Sequence, residues 1–273
     1  MGQDRIEHRG CKLAYEVRGN GPPVVFIQGV GVHGDGWKPQ IDPLSLHYQC
    51  MSFDNRGMAK SQPIGVPLTI EQMGEDTLAL MDAIGWESAH VVGHSMGGLI
   101  ALNVALTAPK RVRSLSLLCT FADGRDAAPL TPRMIWLGMR TRIGTRRMRR
   151  NAFLRLVMFT DSMSQRERDE LAVELEPLFG HDLADQPPIV SKQLSAMRKY
   201  DAKPRLGELS QIPTLIVNAE HDPISPPKVG RAMHEAMRGS KYVEMPNVSH
   251  GVPIQSSGEI NVMLRTHIDA SEK

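Results

Sequence analysis

The feature that most constrains this chain is a glycine-rich turn at 93–98, between an apolar run and a helical run. The apolar run is typical of a strand, and residues 99–108 follow a helical pattern that stops at Pro109. The turn has the pattern G-x-S-x-G, with Ser95 at its centre. The two glycines remove side chains where strand and helix crowd together, and N–H groups at the helix N-terminus face any developing negative charge. The alternative is a solvated serine in an ordinary glycine turn.

Short apolar runs alternate with helical patterns along most of the chain. Several of the runs are continuously apolar, which is typical of strands in a parallel sheet covered on both faces. We therefore predict an α/β fold with a mostly parallel, doubly wound sheet of about eight strands. The runs that carry this prediction lie at 12–17, 24–27, 49–53, 90–93, 112–119, 214–219 and 241–245.

The composition changes after residue 121. Arginine and methionine become frequent, glycines break the pattern into short helices, and no strand signal appears before Ile212. We predict a helical insertion over 122–208, within an α/β core formed by 1–121 and 209–273. The arginines of the insertion, Arg146 and Arg147 among them, form either a solvated face or a positive surface that steers an anionic substrate.

Three loops resemble those of the α/β-hydrolase superfamily. The G-x-S-x-G turn resembles its nucleophile elbow, residues 28–31 (Q-G-V-G) its oxyanion loop, and residues 54–61 its D-x-R-G-x-G-x-S turn. The chain departs from the family pattern at Gln28, where the family usually has histidine. It departs again at Ala59, in place of a glycine, where we expect an ordinary φ. The resemblance covers nearly the whole chain and implies an α/β-hydrolase fold in which the insertion is a lid.

A serine hydroxyl is a weak nucleophile unless a base takes its proton and a carboxylate orients that base. Asp222 and His250 follow the last two predicted strands, and the chain order Ser, Asp, His is the one expected of this fold. The resemblance implies Ser95 as the nucleophile, Asp222 as the acid and His250 as the base. Asp123 is the rival acid, because some members of the superfamily carry the acid after that earlier strand.

The resemblance also implies an oxyanion hole formed by the backbone N–H groups of Val30 and Met96. The residues expected to contact substrate are Gly29, Gly31, His94 and Trp37. His94 has a second interpretation, as a packing or hydrogen-bonding group of the elbow.

A serine at the elbow, instead of the aspartate of epoxide hydrolases and haloalkane dehalogenases, indicates acyl chemistry. The pattern is most similar to small-molecule esterases and enol-lactonases, which implies cleavage of a carboxylic ester or lactone through an acyl-enzyme on Ser95. Other functions stay open on the same residues: a thioesterase, a C–C bond hydrolase, a cofactor-free haloperoxidase, or a weakly catalytic small-molecule receptor.

The composition limits the kinds of binding partner and the cellular compartment that we expect. The net charge of +2 implies no strong partner preference, and the scarcity of aromatic residues argues against nucleic-acid binding. No apolar run is long enough to span a membrane and no secretory signal is evident, so we expect a cytoplasmic protein. Three scattered cysteines favour reduced thiols and lack zinc-site spacing. We expect no cofactor and no metal; a homodimer stays open.

Overall fold

A computed structural model describes residues 4–129 and 131–272. Its strands are β1 Asp4–His8, β2 Cys11–Arg18, β3 Pro23–Ile27, β4 Gln49–Phe53, β5 Ala89–His94, β6 Val112–Leu118, β7 Thr214–Ala219 and β8 Lys241–Met245. They form an eight-stranded sheet in the order β1-β2-β4-β3-β5-β6-β7-β8. The two pairings of β2 are antiparallel and all the others are parallel. This confirms the predicted fold class.

Helices cover both faces of the sheet. They are α1 Lys38–Leu44, α2 Ile70–Ala83, α3 Met96–Thr107, α4 Pro132–Arg140, α5 Arg146–Val157, α6 Gln165–Phe179, α7 Val190–Arg198, α8 Pro227–Ala236, α9 Val252–Gln255 and α10 Ser257–Ser271. One apolar cluster joins the sheet to α2, α3 and α8, and a second joins the opposite face to α1 and α10. Short 3₁₀ helices lie at Gly34–Trp37, Pro109–Arg111 and Lys203–Leu209.

Buried strands were predicted from the sequence more easily than exposed ones, because burial on both faces requires a continuous apolar run. All six residues of β7 are buried, as expected of a parallel strand covered on both faces. The strand β1 was not predicted, because it is a mostly exposed edge strand in which Ile6 is the one apolar residue.

Four helices, α4 to α7, lie between β6 and β7 within the predicted insertion. A separate apolar cluster that includes Leu154, Leu175 and Phe179 holds α5 against α6. The helix α6 begins with a capping box, in which Ser164 and Glu167 each bond to the other's backbone N–H. The described residues of the insertion form no strand, apart from an isolated bridge between Asp123 and Asp201.

The turn at 54–61 is held by polar side chains from two directions. Asp54 accepts hydrogen bonds from the backbone N–H groups of Gly34, at 2.9 Å, and Lys60, at 3.1 Å. The guanidinium of Arg56 is fully buried and binds both carboxylate oxygens of Asp76, at 2.7 and 2.5 Å. The expectation of an ordinary φ at Ala59 is wrong: its φ is +41°, because hydrogen bonds on either side fix the turn in a conformation that glycine adopts more readily.

Among the described residues, no helix combines the length and the apolar character needed to cross a bilayer.

The buried pair between Arg56 and Asp76 predicts a large stability effect. We expect Asp76→Ala to lower the free energy of unfolding by about 3–5 kcal/mol, because it leaves a buried guanidinium without its counter-charge. The neighbouring Glu75→Ala is the control, since Glu75 forms an exposed pair with Arg9 that contributes only about 0–1 kcal/mol. Urea unfolding measures both, and similar losses in the two variants would contradict this account.

Candidate active site

Ser95 lies on the sharp turn between β5 and α3. Its backbone has φ 55° and ψ −122°, a conformation that is strained for a residue with a side chain. The turn is possible because its glycines lie against other backbone atoms. A Cβ on Gly97 would lie 2.0 Å from the carbonyl oxygen of Ile27, and one on Gly93 would lie 2.3 Å from the carbonyl oxygen of Gly97. The elbow therefore packs directly against the end of β3.

Ser95, His250 and Asp222 form a continuous chain of hydrogen bonds. The Nε2 atom of His250 lies 2.9 Å from Oγ of Ser95, and its Nδ1 atom lies 2.8 Å from Oδ2 of Asp222. All three residues are buried. The other carboxylate oxygen of Asp222 accepts hydrogen bonds from the N–H groups of Ile224 and Ser225, both at 2.8 Å. In this arrangement an imidazole can accept the serine proton while the carboxylate fixes its tautomer.

Asp123, the rival acid, has other partners. Arg125 lies 2.8 Å from its Oδ2 atom and Lys203 lies 3.5 Å from the same atom. Although burial opposes the effect, the hydrogen bonds from Arg125 hold the pKa of Asp123 below its usual value. The structure therefore brings Asp222, and not Asp123, into contact with His250.

The two backbone donors implied by the resemblance flank the serine. Val30 follows β3, and Met96 is the first residue of α3. Within the described chain, neither N–H group has a hydrogen-bond partner in the protein. A Cβ on Gly29 would lie 3.1 Å from Cβ of Ser95, so the two loops are in contact. The side chain of Gln28 folds back, and its Oε1 atom accepts a hydrogen bond from the N–H of Gly29 at 3.1 Å.

His94 is hydrogen-bonded to the backbone of His250. Its Nε2 atom lies 2.8 Å from the backbone oxygen of His250, and the two rings are 4.9 Å apart. Burial, reinforced by the neighbouring His250, lowers the pKa of His94 to about 3. The ring is therefore neutral near pH 7 and donates its Nε2 proton to that carbonyl. This contact bears out the hydrogen-bonding interpretation of His94, while its ring also reaches the cavity wall.

An apolar cavity of about 530 Å³ opens over Ser95. One side is formed by the strand-end loops, which contribute Gly29, Val30 and His250, and the other by helices of the insertion. The wall is largely apolar, and its side chains include Met134, Ile135, Met139, Phe153, Leu194 and Met197.

Two of the four predicted substrate contacts do not lie on this wall. Trp37 is fully buried behind it, because the 3₁₀ helix turns its ring between Phe26 and His94, with ring centres 5.3 and 6.4 Å apart. Gly31 is buried as well, and its N–H donates to Oε1 of Gln193 on α7 at 2.9 Å. Gly29 and His94 are on the wall. The structure therefore places Trp37 and Gly31 away from the cavity wall.

Cys119 lies beside Asp222 and His250. Within the described residues, Cys119, Asp222 and His250 are the one group whose ligand atoms all lie within 4.8 Å of one another and could hold a metal ion. Burial, with Asp222 nearby, raises the pKa of the Cys119 thiol well above its usual value, so the thiolate that metals bind is disfavoured. Both ring nitrogens of His250 are already used by Ser95 and Asp222. These residues fit a hydrogen-bonded relay better than a metal site.

The fold and this site define the class of protein. Residues 22–256 match the family model described as alpha/beta hydrolase fold, and the chain therefore belongs to that family. The prediction of an enzyme is confirmed at the level of hydrolytic activity.

Three relatives illustrate the similarity. The chain is 28% identical over 260 residues to a protein named as a carbamate hydrolase, RutD, of Azorhizobium caulinodans, covering 92% of this chain and 93% of that one. It is 28% identical over 251 residues to 3-oxoadipate enol-lactonase 1 of Acinetobacter baylyi, covering 89% and 87%. The crystal structure of the enol-lactonase from Burkholderia xenovorans shares the fold, with a TM-score of 0.81, 24% identity and coverage of 97% and 100%.

The pKa of His94 predicts how stability depends on pH. In the unfolded chain His94 has its ordinary pKa of 6.5, whereas in the folded chain its pKa is about 3. Between these two pH values the unfolded chain therefore carries a proton on His94 that the folded chain does not. The contribution of His94 is complete above pH 6.5 and is lost as the pH falls, by about 1.4 kcal/mol per pH unit. Urea unfolding between pH 6.5 and 5 measures how steeply the free energy of unfolding falls as the pH is lowered. We expect His94→Gln to make this slope shallower, by up to the equivalent of one proton bound on unfolding. A wild-type slope in this variant would mean that His94 is not held neutral.

Proposed function

We propose that the protein is a serine hydrolase that cleaves a carboxylic ester or lactone of a small molecule. The observation that carries the proposal is the hydrogen-bonded chain from Ser95 through His250 to Asp222, at the buried end of an apolar cavity. The similarity to 3-oxoadipate enol-lactonase 1 supports the choice of ester and lactone chemistry.

The first half of the reaction forms an acyl-enzyme. His250 takes the proton of the Ser95 hydroxyl at Nε2 as Oγ attacks the substrate carbonyl carbon, and Asp222 stabilises the resulting imidazolium. The negative charge on the carbonyl oxygen is met by the N–H groups of Val30 and Met96. The C–O bond of the ester then breaks, and the imidazolium returns its proton to the departing alkoxide. In a lactone the alkoxide stays attached to the acyl group.

Water completes the reaction. His250 takes a proton from a water molecule as the water oxygen attacks the acyl carbon. The bond between that carbon and Oγ then breaks, and the imidazolium returns its proton to Oγ, which leaves a carboxylic acid and the free Ser95 hydroxyl. We infer that the insertion, residues 122–208, acts as a lid that shields these steps from bulk water. Its support is the cavity wall, which α4, α5 and α7 supply with apolar side chains.

The same residues could attack a thioester, or a C–C bond next to a carbonyl. No described residue favours either reaction over the ester, and a panel of acyl substrates separates them. A weakly catalytic receptor is disfavoured by the intact hydrogen-bonded chain at the site.

Ser95→Ala tests the proposed function directly. We expect wild-type protein to hydrolyse short-chain p-nitrophenyl esters and Ser95→Ala to lower kcat by about 10⁴-fold or more. Circular dichroism establishes that the variant is folded. Near-normal hydrolysis by a folded Ser95→Ala protein would exclude an acyl-enzyme on this serine.

A pair of conservative variants tests the acid. We expect Asp222→Asn to lower kcat by about 10⁴-fold, since the amide favours the wrong imidazole tautomer. Asp123→Asn is the matched control and should cost less than about tenfold, because its partners are Arg125 and Lys203. Ester hydrolysis at saturating substrate measures both. The reverse order would reassign the acid, whereas two active variants would contradict the triad.

A further inference from the structure

We propose that the substrate carries an anionic group, which Arg142 and Arg198 bind at the solvent end of the cavity. This inference rests on the proposed function and adds the substrate class: a small ester or lactone with an apolar body and a negatively charged group. Arg142 follows α4 and Arg198 is the last residue of α7.

The charge on the cavity wall is of one sign. Among the described residues that line it, Arg142 and Arg198 carry full charges, and none is an aspartate or glutamate. The remaining polar side chains away from the catalytic end are neutral, those of Thr141 and Gln186. Uncompensated positive charge at the mouth of an apolar cavity attracts anions toward it.

These two arginines also differ from most of the arginines around them. Arg146 and Arg150 pair with Asp182, and Arg147 pairs with Asp169 at 2.7 Å. In the part of the chain that the structure describes, the guanidinium groups of Arg142 and Arg198 form neither an ion pair nor a hydrogen bond. They are thus available to a ligand.

This changes which arginines are assigned to substrate attraction. The sequence pointed to Arg146 and Arg147, but both are neutralised by carboxylates and neither lines the cavity. The two guanidinium groups on the wall replace them as the anion-binding candidates.

The burial of the two ends sets the layout of the substrate. Ser95 is buried, whereas Arg142 and Arg198 are exposed. Apolar side chains, Met139 and Met197 among them, also line the cavity. A ligand that touches both Ser95 and the arginines therefore places its carbonyl at Ser95, its apolar body against these side chains, and its anionic group at the arginines. An arginine guanidinium is suited to this contact because it donates two parallel hydrogen bonds to a carboxylate.

Matched substrates test the proposal by turnover. Mono-p-nitrophenyl esters of linear dicarboxylic acids, from about four to ten carbons to bracket the length of the cavity, are compared with the same esters ending in a neutral carboxamide. The measured quantity is the ratio of kcat/KM for the anionic ester to kcat/KM for the neutral one. We expect this ratio to exceed 1 at the best chain length and to fall with added salt.

The variants are Arg142→Gln, Arg198→Gln and the double variant. We expect the ratio to fall about two- to fivefold in each single variant, as for an ion pair between exposed groups, and further in the double variant. Arg155→Gln is the matched control: it removes the same charge from an exposed arginine of α5 that does not line the cavity. An equal ratio in wild type and in the double variant would overturn the proposal.

Binding separates this proposal from the proposed function. In Ser95→Ala protein, calorimetry compares a monomethyl ester of octanedioic acid with its neutral carboxamide analogue. Tighter binding of the anion, lost in the double arginine variant, supports the anionic substrate even if no ester is turned over. Equal binding of the two ligands overturns it, while ester hydrolysis by wild-type protein would still support the serine hydrolase.

Discussion

The site depends on the close approach of the turn that carries Ser95 to the end of β3. A side chain on Gly97 would collide with the carbonyl oxygen of Ile27, so glycine is required where the first turn of α3 meets the neighbouring strand. This contact sets the N–H of Met96 beside the loop that carries Val30, and it holds Ser95 in a strained backbone conformation. Strain of this kind costs about 1–3 kcal/mol, which the packing of a buried parallel sheet can offset.

The remaining parts of the site follow from the sheet. Parallel strands deliver their connecting loops to one edge, and β7 and β8 therefore bring Asp222 and His250 to the same edge as Ser95. His94 adds a second link, because its side chain holds the backbone of His250. His250 is thus held by the carboxylate of Asp222 at Nδ1 and by the neutral imidazole of His94 at its backbone carbonyl.

The sequence was informative wherever local chemistry determines the structure. Apolar runs, the elbow glycines and the loops after the strands were enough to predict the sheet, Ser95 and the loop positions of its partners. Choices between chemically similar residues needed three-dimensional contacts. The sequence does not show whether Asp123 or Asp222 is the partner of His250, nor whether Arg146 or Arg142 is free to bind a ligand. Both choices depend on which side chains are in contact in the folded protein. The sequence also does not reveal which side of a loop faces the cavity, and Trp37 lies buried away from its wall.

The central claim is that Ser95 is the activated nucleophile, and covalent labelling tests it most directly. Paraoxon reacts with an activated serine: the oxygen attacks phosphorus, p-nitrophenolate leaves, and a diethyl phosphoryl group stays on the protein. Intact-mass measurement and peptide mapping after exposure to one equivalent of paraoxon would locate that group. The account predicts one adduct per chain, on Ser95, formed in parallel with the loss of ester hydrolysis. Complete loss of hydrolysis with Ser95 unmodified, or full activity after Ser95 is modified, would contradict it.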